Sequence, residues 1–138
     1  MTARDRAVGA LLGLAIGDAI GTTGEFQARD SYPELTGPVG GGPFRLEPGQ
    51  WTDDTSMALC LADTLLCNGG LNEKDLMDRF VQWRNHKGYS CTGRCFDIGM
   101  TVAKALSRYQ ATGAPRAGST DPDSAGNGSL MRLSPVAI

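Results

Sequence analysis

The chain has 138 residues, 41% of them hydrophobic, and a formal net charge of -2. That length suffices for one small domain with a buried core, and the balance lacks the basic excess that marks a nucleic-acid binder. Glycine, at 19 residues, is about double its usual share of roughly 7%, and it falls in loops and inside helical patterns without forming a low-complexity repeat.

Val8, Leu11, Leu12, Ala15, Ile16 and Ala19 recur at helical spacing and predict a first helix over about residues 3–19. Gly9, Gly13, Gly17 and Gly21 form one ridge of it. Each interior glycine costs about 1 kcal/mol against alanine, so the ridge is expected to meet a close neighbour. That neighbour is a packed helix at Gly9 and Gly13, and more plausibly a ligand at Gly17 and Gly21, which bracket Asp18. Arg4, Asp5 and Arg6 before an apolar run imitate a secretion leader, but Asp5, the spaced glycines and Asp18 oppose that reading. The run at 7–17 is shorter than the ~20 residues of a membrane span.

Residues 21–50 read as a long irregular segment broken by Gly37-Pro38, Gly40-Gly41-Gly42-Pro43 and Pro48-Gly49, with Glu25 near its start. Loops of this length in compact domains are usually functional or mobile. A second helix is predicted over about residues 54–67, with Met57, Leu61 and Leu65 on its apolar face and a stop at Asn68-Gly69-Gly70. A third begins at Asn72 and runs through Leu76, Phe80 and Trp83; a fourth covers about residues 96–109, with Ile98, Val102, Leu106 and Tyr109 on one face. A loop over about 112–126 leads to a fifth helix starting near Ser129. With no alternating strand, the fold class is all-α. The apolar run at 130–138 carries no polar tail, as expected of part of something longer.

Cys60, Cys67, Cys91 and Cys95 match neither a paired zinc spacing nor a redox Cys-x-x-Cys. Cys60 and Cys67, inside one helical pattern, are expected to act as small apolar groups, and the protein to be reduced and cytoplasmic. His86, between Asn85 and Lys87, is expected to be solvated, which disfavours a histidine-rich metal site.

Two motifs carry chemistry. Thr52-Asp53-Asp54 places a hydroxyl and adjacent carboxylates at the start of the second helix. Its plainer reading is a helix cap, with Thr52 or Asp53 capping and the acids complementing the dipole. The alternative is a hard cation, Mg²⁺ or Mn²⁺, on oxygen ligands. Gly126-Asn127-Gly128-Ser129 is a glycine-flanked turn with Ser129 as a possible N-cap. Its exposed amides suit an anion such as a pyrophosphate, though an ordinary capped turn explains it as well.

Gly13-Leu14-Ala15-Ile16-Gly17-Asp18-Ala19-Ile20-Gly21, Glu25-Phe26, Trp51-Thr52-Asp53-Asp54-Thr55, Phe96-Asp97-Ile98-Gly99 and Gly126-Asn127-Gly128-Ser129-Leu130-Met131-Arg132 occur in this order. Together they resemble the ADP-ribosylglycohydrolase family, particularly its dinitrogenase reductase-activating branch. The resemblance implies an all-α fold that binds two Mg²⁺ or Mn²⁺ ions and removes ADP-ribose from modified proteins. It makes Thr52, Asp53 and Asp54 metal ligands, and Glu25 a gating residue that positions the reacting ribose or water. It sets Asp97 and Gly99 beside the substrate, with Asp97 facing an arginine guanidinium, and Asn127, Gly128 and Ser129 along the ADP-ribose pocket.

The resemblance further implies that residues 1–138 are the N-terminal portion of a single domain. The family's second ligand cluster, an Asp-x-Asp-Thr motif, lies beyond them; Asp121-Pro122-Asp123 is not that motif. The remaining part of the fold is then a partner of this chain, alongside an ADP-ribosylated protein substrate, and the chain alone is expected to bind metal weakly with little activity. Non-catalytic ADP-ribose-binding, immunity or structural relatives are the competing readings.

Overall fold

A computed structural model describes residues 2–138, and among them every regular element is helical. The four long helices are α1 (Ala3–Gly21), α2 (Asp53–Asn68), α3 (Glu73–His86) and α4 (Met100–Thr112). Tight 3₁₀ turns at Thr22–Gly24, Pro122–Ser124, Asn127–Ser129 and Ser134–Ala137 punctuate the connections. The all-α expectation holds; the nearest approach to a sheet is an isolated bridge between Gly41 and Leu46 in the long loop.

Local chemistry accounts for most of the helix limits. Thr2 and Asp5 form a reciprocal capping box at α1, with Asp5 N–H donating to Thr2 Oγ1 at 3.1 Å and Thr2 N–H to Asp5 Oδ2 at 2.7 Å. Gly69, at φ 66°, ends α2 in the left-handed conformation that glycine adopts without a Cβ penalty. Asn72 caps α3 by accepting from Asp75 N–H at 3.1 Å.

Met57 and Cys60 from α2, Phe80 and Trp83 from α3, and Leu106 from α4 interlock as the buried core. Around them Arg79 bridges Asp75 and Asp63, and Tyr109 donates to Asp78 at 2.6 Å, tying α4 to α3. The thiols are free; Cys60 is core as expected, whereas Cys67 is exposed. His86 is exposed, also as expected.

Four expectations change. The fourth helix begins at Met100 rather than near 96, because Asp97 sits at φ 55° and Gly99 takes the N-cap position. Ile98 still packs on the core, so its apolar phase imitated an earlier helix start. No fifth helix starts at Ser129. Two short turns stand there instead, and Pro135, lacking an N–H, cannot continue a helix. The glycine ridge of α1 meets nothing: a Cβ built at Gly9, Gly13, Gly17 or Gly21 has no neighbour within 4 Å. Val8, Leu12 and Ile16 are about half exposed on the same helix.

The fourth change concerns length. With its flanks included, Ala3–Gly24 is long and apolar enough to cross a membrane by length and composition, although the run at 7–17 is not. Mostly buried core helices pass the same test, whereas α1 is mostly exposed, with Ala19 its one buried residue. Here α1 packs on α2 and on the turn at Ser134–Ala137, and its Asp18 is hydrogen-bonded to α2.

Candidate functional site

The beginning of α2 is the centre of the site, and its cap is not the one expected. Thr52 occupies the N-cap position but makes no side-chain cap. The orphan amides are met from α1 by Asp18, which accepts from Thr52 N–H at 3.0 Å and Thr55 N–H at 3.0 Å. The hydroxyls of Thr52 and Thr55 donate to the same carboxylate at 2.8 and 2.7 Å. On the other flank, Trp51 Nε1 donates to Tyr89 O at 3.3 Å and Cys91 Sγ to Trp51 O at 2.9 Å. Thr52 and Asp53 are thereby buried at a fixed point.

The long loop supplies the opposite wall. Gly42, at φ 65°, packs so close to the Thr22–Gly24 turn that a Cβ would stand 2.5 Å from Thr22 O, and Thr23 Oγ1 donates to Gly40 O at 3.0 Å. The loop therefore pins the turn that delivers Glu25. Phe44 lies between Phe26 and Phe96, with ring centroids 6.2 and 5.3 Å apart. This row joins the chain neighbours of Glu25 and Asp97 and brings those carboxyls into hydrogen-bond contact. Phe26 and Asp97 both hold φ above 50°, the kind of local strain that persists where surrounding packing over-determines it. Replacing Phe44 by alanine is expected to cost about 2 kcal/mol and to let the two carboxyls separate, moving Asp97's titration down toward the ordinary range; thermal melting and a carboxyl NMR titration check both effects.

Two adjoining cavities result. One, of about 320 Å³, is lined by Gly17, Asp18, Thr22, Glu25, Thr52, Asp54 and Asp97 among others. The second, of about 560 Å³, holds Asp53, Gly99, Asn127 and Gly128 and shares Glu25, Asp54 and Asp97 with the first. Of the residues singled out from the sequence, only Ser129 falls elsewhere. It lines a third cavity of about 400 Å³ with Arg132, on the far side of Gly128. A Cβ at Gly128 would meet Val102 Cγ2 at 2.8 Å, so a larger residue there would require Val102 to shift. Asp121 merely accepts from Asp123 N–H at 3.0 Å in an exposed turn, consistent with its exclusion as a ligand motif.

Electrostatics give the cleft its character. Burial pushes Asp53 up to about 8, reinforced by the charges of Asp97, Asp54 and Asp18. Asp97 rises to about 7, first from burial and then from Glu25. Asp54 is raised by burial and by Asp18, and Glu25 by burial with Asp54 and Asp18 adding to it. Among the described residues no lysine or arginine lines either acidic cavity.

Such a set of hard oxygens with uncompensated negative charge suits a divalent cation. Thr22 Oγ1, buried on the wall of the smaller cavity, adds a further hard oxygen beside Glu25. Among the described residues, however, no group of three or more His, Cys, Asp or Glu side chains is disposed to hold an ion. Thr52, Asp53 and Asp54 could furnish part of a coordination shell, not a closed one. Sequence reasoning missed Asp18's grip on α2 and the Phe44 bridge. Asp18 had a signal in its place between Gly17 and Gly21; Phe44, alone in a loop, had none.

The chain is 52% identical over 134 residues to an ADP-ribosylarginine hydrolase of Serratia proteamaculans and 54% over 136 residues to one of Pseudomonas putida. These matches cover 97% and 99% of this chain but 36% of each relative. It is 40% identical over 138 residues to the ADP-ribosyl-(dinitrogen reductase) glycohydrolase of Rhodospirillum rubrum, covering 97% of this chain and 44% of that one. A solved ADP-ribosylglycohydrolase-related protein complex superposes with a TM-score of 0.79 at 48% identity, over 97% of this chain and 42% of its counterpart. The chain thus spans well under half the length of the relatives it matches. The ADP-ribosylglycohydrolase family model matches residues 1–138, and with the helical fold and the ordered acidic cleft in place, the chain belongs to that family.

Proposed function

We propose that this chain is part of a metal-dependent hydrolase that removes ADP-ribose from modified proteins by cleaving the N-glycosidic bond to arginine. The observation that carries the reading is the acidic cleft itself, where Glu25, Asp53, Asp54 and Asp97 gather beside the Asn127–Gly128 turn. The names of the Serratia and Pseudomonas relatives support arginine as the acceptor.

In this reading Thr52, Asp53 and Asp54 hold Mg²⁺ or Mn²⁺, with two ions in the complete site and the remaining ligands drawn from the rest of a longer domain. Such ions act as Lewis acids and lower the pKa of a coordinated water. Asp97 meets the guanidinium, for which a carboxylate is the natural partner. Glu25, hydrogen-bonded to Asp97, positions the ribose or the water, and both carboxylates stabilise positive charge that builds on the sugar. Asn127 and Gly128 offer amides to the ADP-ribose, with Gly99 beside them and Ser129 extending the wall toward Arg132. Free thiols suit a reducing, cytoplasmic setting.

The test is release of ADP-ribose from an ADP-ribosyl-arginine peptide by the protein at its natural length. Release is expected with Mn²⁺ or Mg²⁺ and loss of it with chelator. Release indifferent to chelator refutes the metal role, release only from a serine-linked peptide refutes the linkage, and binding of ADP-ribose without release favours a non-catalytic relative.

A further inference from the structure

Asp18 lies on α1, outside the stretch assigned to metal binding, yet it governs the geometry of that stretch. Its two oxygens accept from four donors: the N–H and Oγ1 of Thr52, and the N–H and Oγ1 of Thr55. A carboxylate offers about four lone-pair sites, so this acceptor is saturated and is poorly placed to act as a cation ligand itself. Thr52 is held on its other side as well, where its carbonyl accepts from Ser56 N–H at 3.3 Å and Ser56 Oγ at 2.8 Å.

The consequence falls on the Thr52 hydroxyl. A hydroxyl has one proton and two lone pairs. In an ordinary N-cap a lone pair is spent on a helix amide, but here Asp18 takes the Thr55 amide and also the Thr52 proton. The Thr52 oxygen is left with its lone pairs uncommitted, on the wall of the cavity it shares with Asp54. We infer that Asp18 is a positioning residue for the metal site, which caps α2 from a separate helix and so presents Thr52 Oγ1 as a cation acceptor. This rests on the metal-dependent reading of the cleft.

Asp18→Asn keeps the shape but turns an NH₂ toward groups that are themselves donors. Thr55→Val deletes one donor to Asp18 without touching a proposed ligand, and Thr55→Ser restores it. The measurement is Mn²⁺ affinity, from the electron-paramagnetic-resonance signal of free Mn²⁺, on the protein at its natural length, with melting in chelator recorded in parallel. Outer-shell partners typically change metal affinity by 10–100-fold. Asp18→Asn is expected to raise the Mn²⁺ Kd by about 10-fold or more and Thr55→Val by a smaller factor in the same direction, with Thr55→Ser close to wild type. If Asp18→Asn fails to fold, Thr55→Val and Thr55→Ser carry the comparison. A lower melting temperature with unchanged Mn²⁺ affinity would make Asp18 a helix cap and nothing more, overturning the inference while leaving the metal reading intact. Absence of Mn²⁺ binding by the wild type overturns both.

Discussion

Raising the pH from 5 to 8 in the presence of chelator is expected to destabilise the protein by about 3 kcal/mol, the reverse of the usual carboxylate behaviour. Asp53 carries the largest share. Its ordinary value of 3.8 is raised to about 8 in the fold by burial and by the charges of Asp97, Asp54 and Asp18. Between those values the unfolded chain has lost the proton that the folded chain still holds. The folded state therefore binds more protons, and the stability it draws from them is complete below about pH 4 and lost as the pH climbs toward 8. A displacement of this size would be worth about 6 kcal/mol at about 1.4 kcal/mol per unit. Only about 3 to 4 kcal/mol of that falls between pH 5 and 8, since the loss begins near pH 4 and is incomplete at pH 8, and the sharing of protons with Asp97, Glu25 and Asp54 brings it to about 3 kcal/mol. Asp53→Asn should remove most of the slope and raise stability at pH 8, leaving a residue from Asp97. On the proposed metal role, millimolar Mn²⁺ should restore stability at pH 8 in the protein at its natural length by mass action on the ionised form. Denaturant titrations at the two pH values check this, and a flat wild-type profile in chelator would refute it.

The same cluster shows what could be read from the chain alone. Helices α2 and α3 were legible because both kinds of signal agreed: apolar spacing through Met57, Leu61, Phe80 and Trp83, and stop or start residues at Gly69 and Asn72. The α4 start was misplaced because Ile98 serves the core from outside a helix, and nothing local announces the left-handed turn at Asp97. The glycine ridge of α1 implied a close neighbour that the described residues do not supply. Site residues were found as motifs, but their juxtaposition was not. Glu25 and Asp97 are 72 positions apart in the sequence, and the Phe26–Phe44–Phe96 row that joins them depends on how a glycine-rich loop folds back on Thr22. The capping of α2 by Asp18 was hidden for a similar reason. Local rules assign a cap to the residue next to the helix, and here it arrives from 34 positions away.

On the proposed function, Asp97→Asn in the protein at its natural length is expected to lower the rate of ADP-ribose release from an ADP-ribosyl-arginine peptide by about 100-fold or more, with the fold intact. Asparagine is nearly isosteric and tolerates the left-handed conformation that Asp97 holds at φ 55°, so the backbone before α4 need not move. What disappears is charge. In the free protein Asp97 is raised to about 7 by burial and by its contact with Glu25, and near neutrality the pair is poised to lose a proton. An arriving guanidinium supplies the opposite charge that the cleft lacks, because no lysine or arginine among the described residues lines the two acidic cavities. On that proposal ionisation of Asp97 would then be favoured, and the resulting ion pair would hold the arginine side chain in line with the bond to be broken. Asparagine cannot make that pair, and it also removes a like charge from Asp53 and Glu25. Melting in chelator should therefore be unchanged or higher in the variant while turnover collapses. A rate within about threefold of wild type, a difference of less than 1 kcal/mol in the barrier, would remove Asp97 from the chemistry and leave it as a support for Glu25.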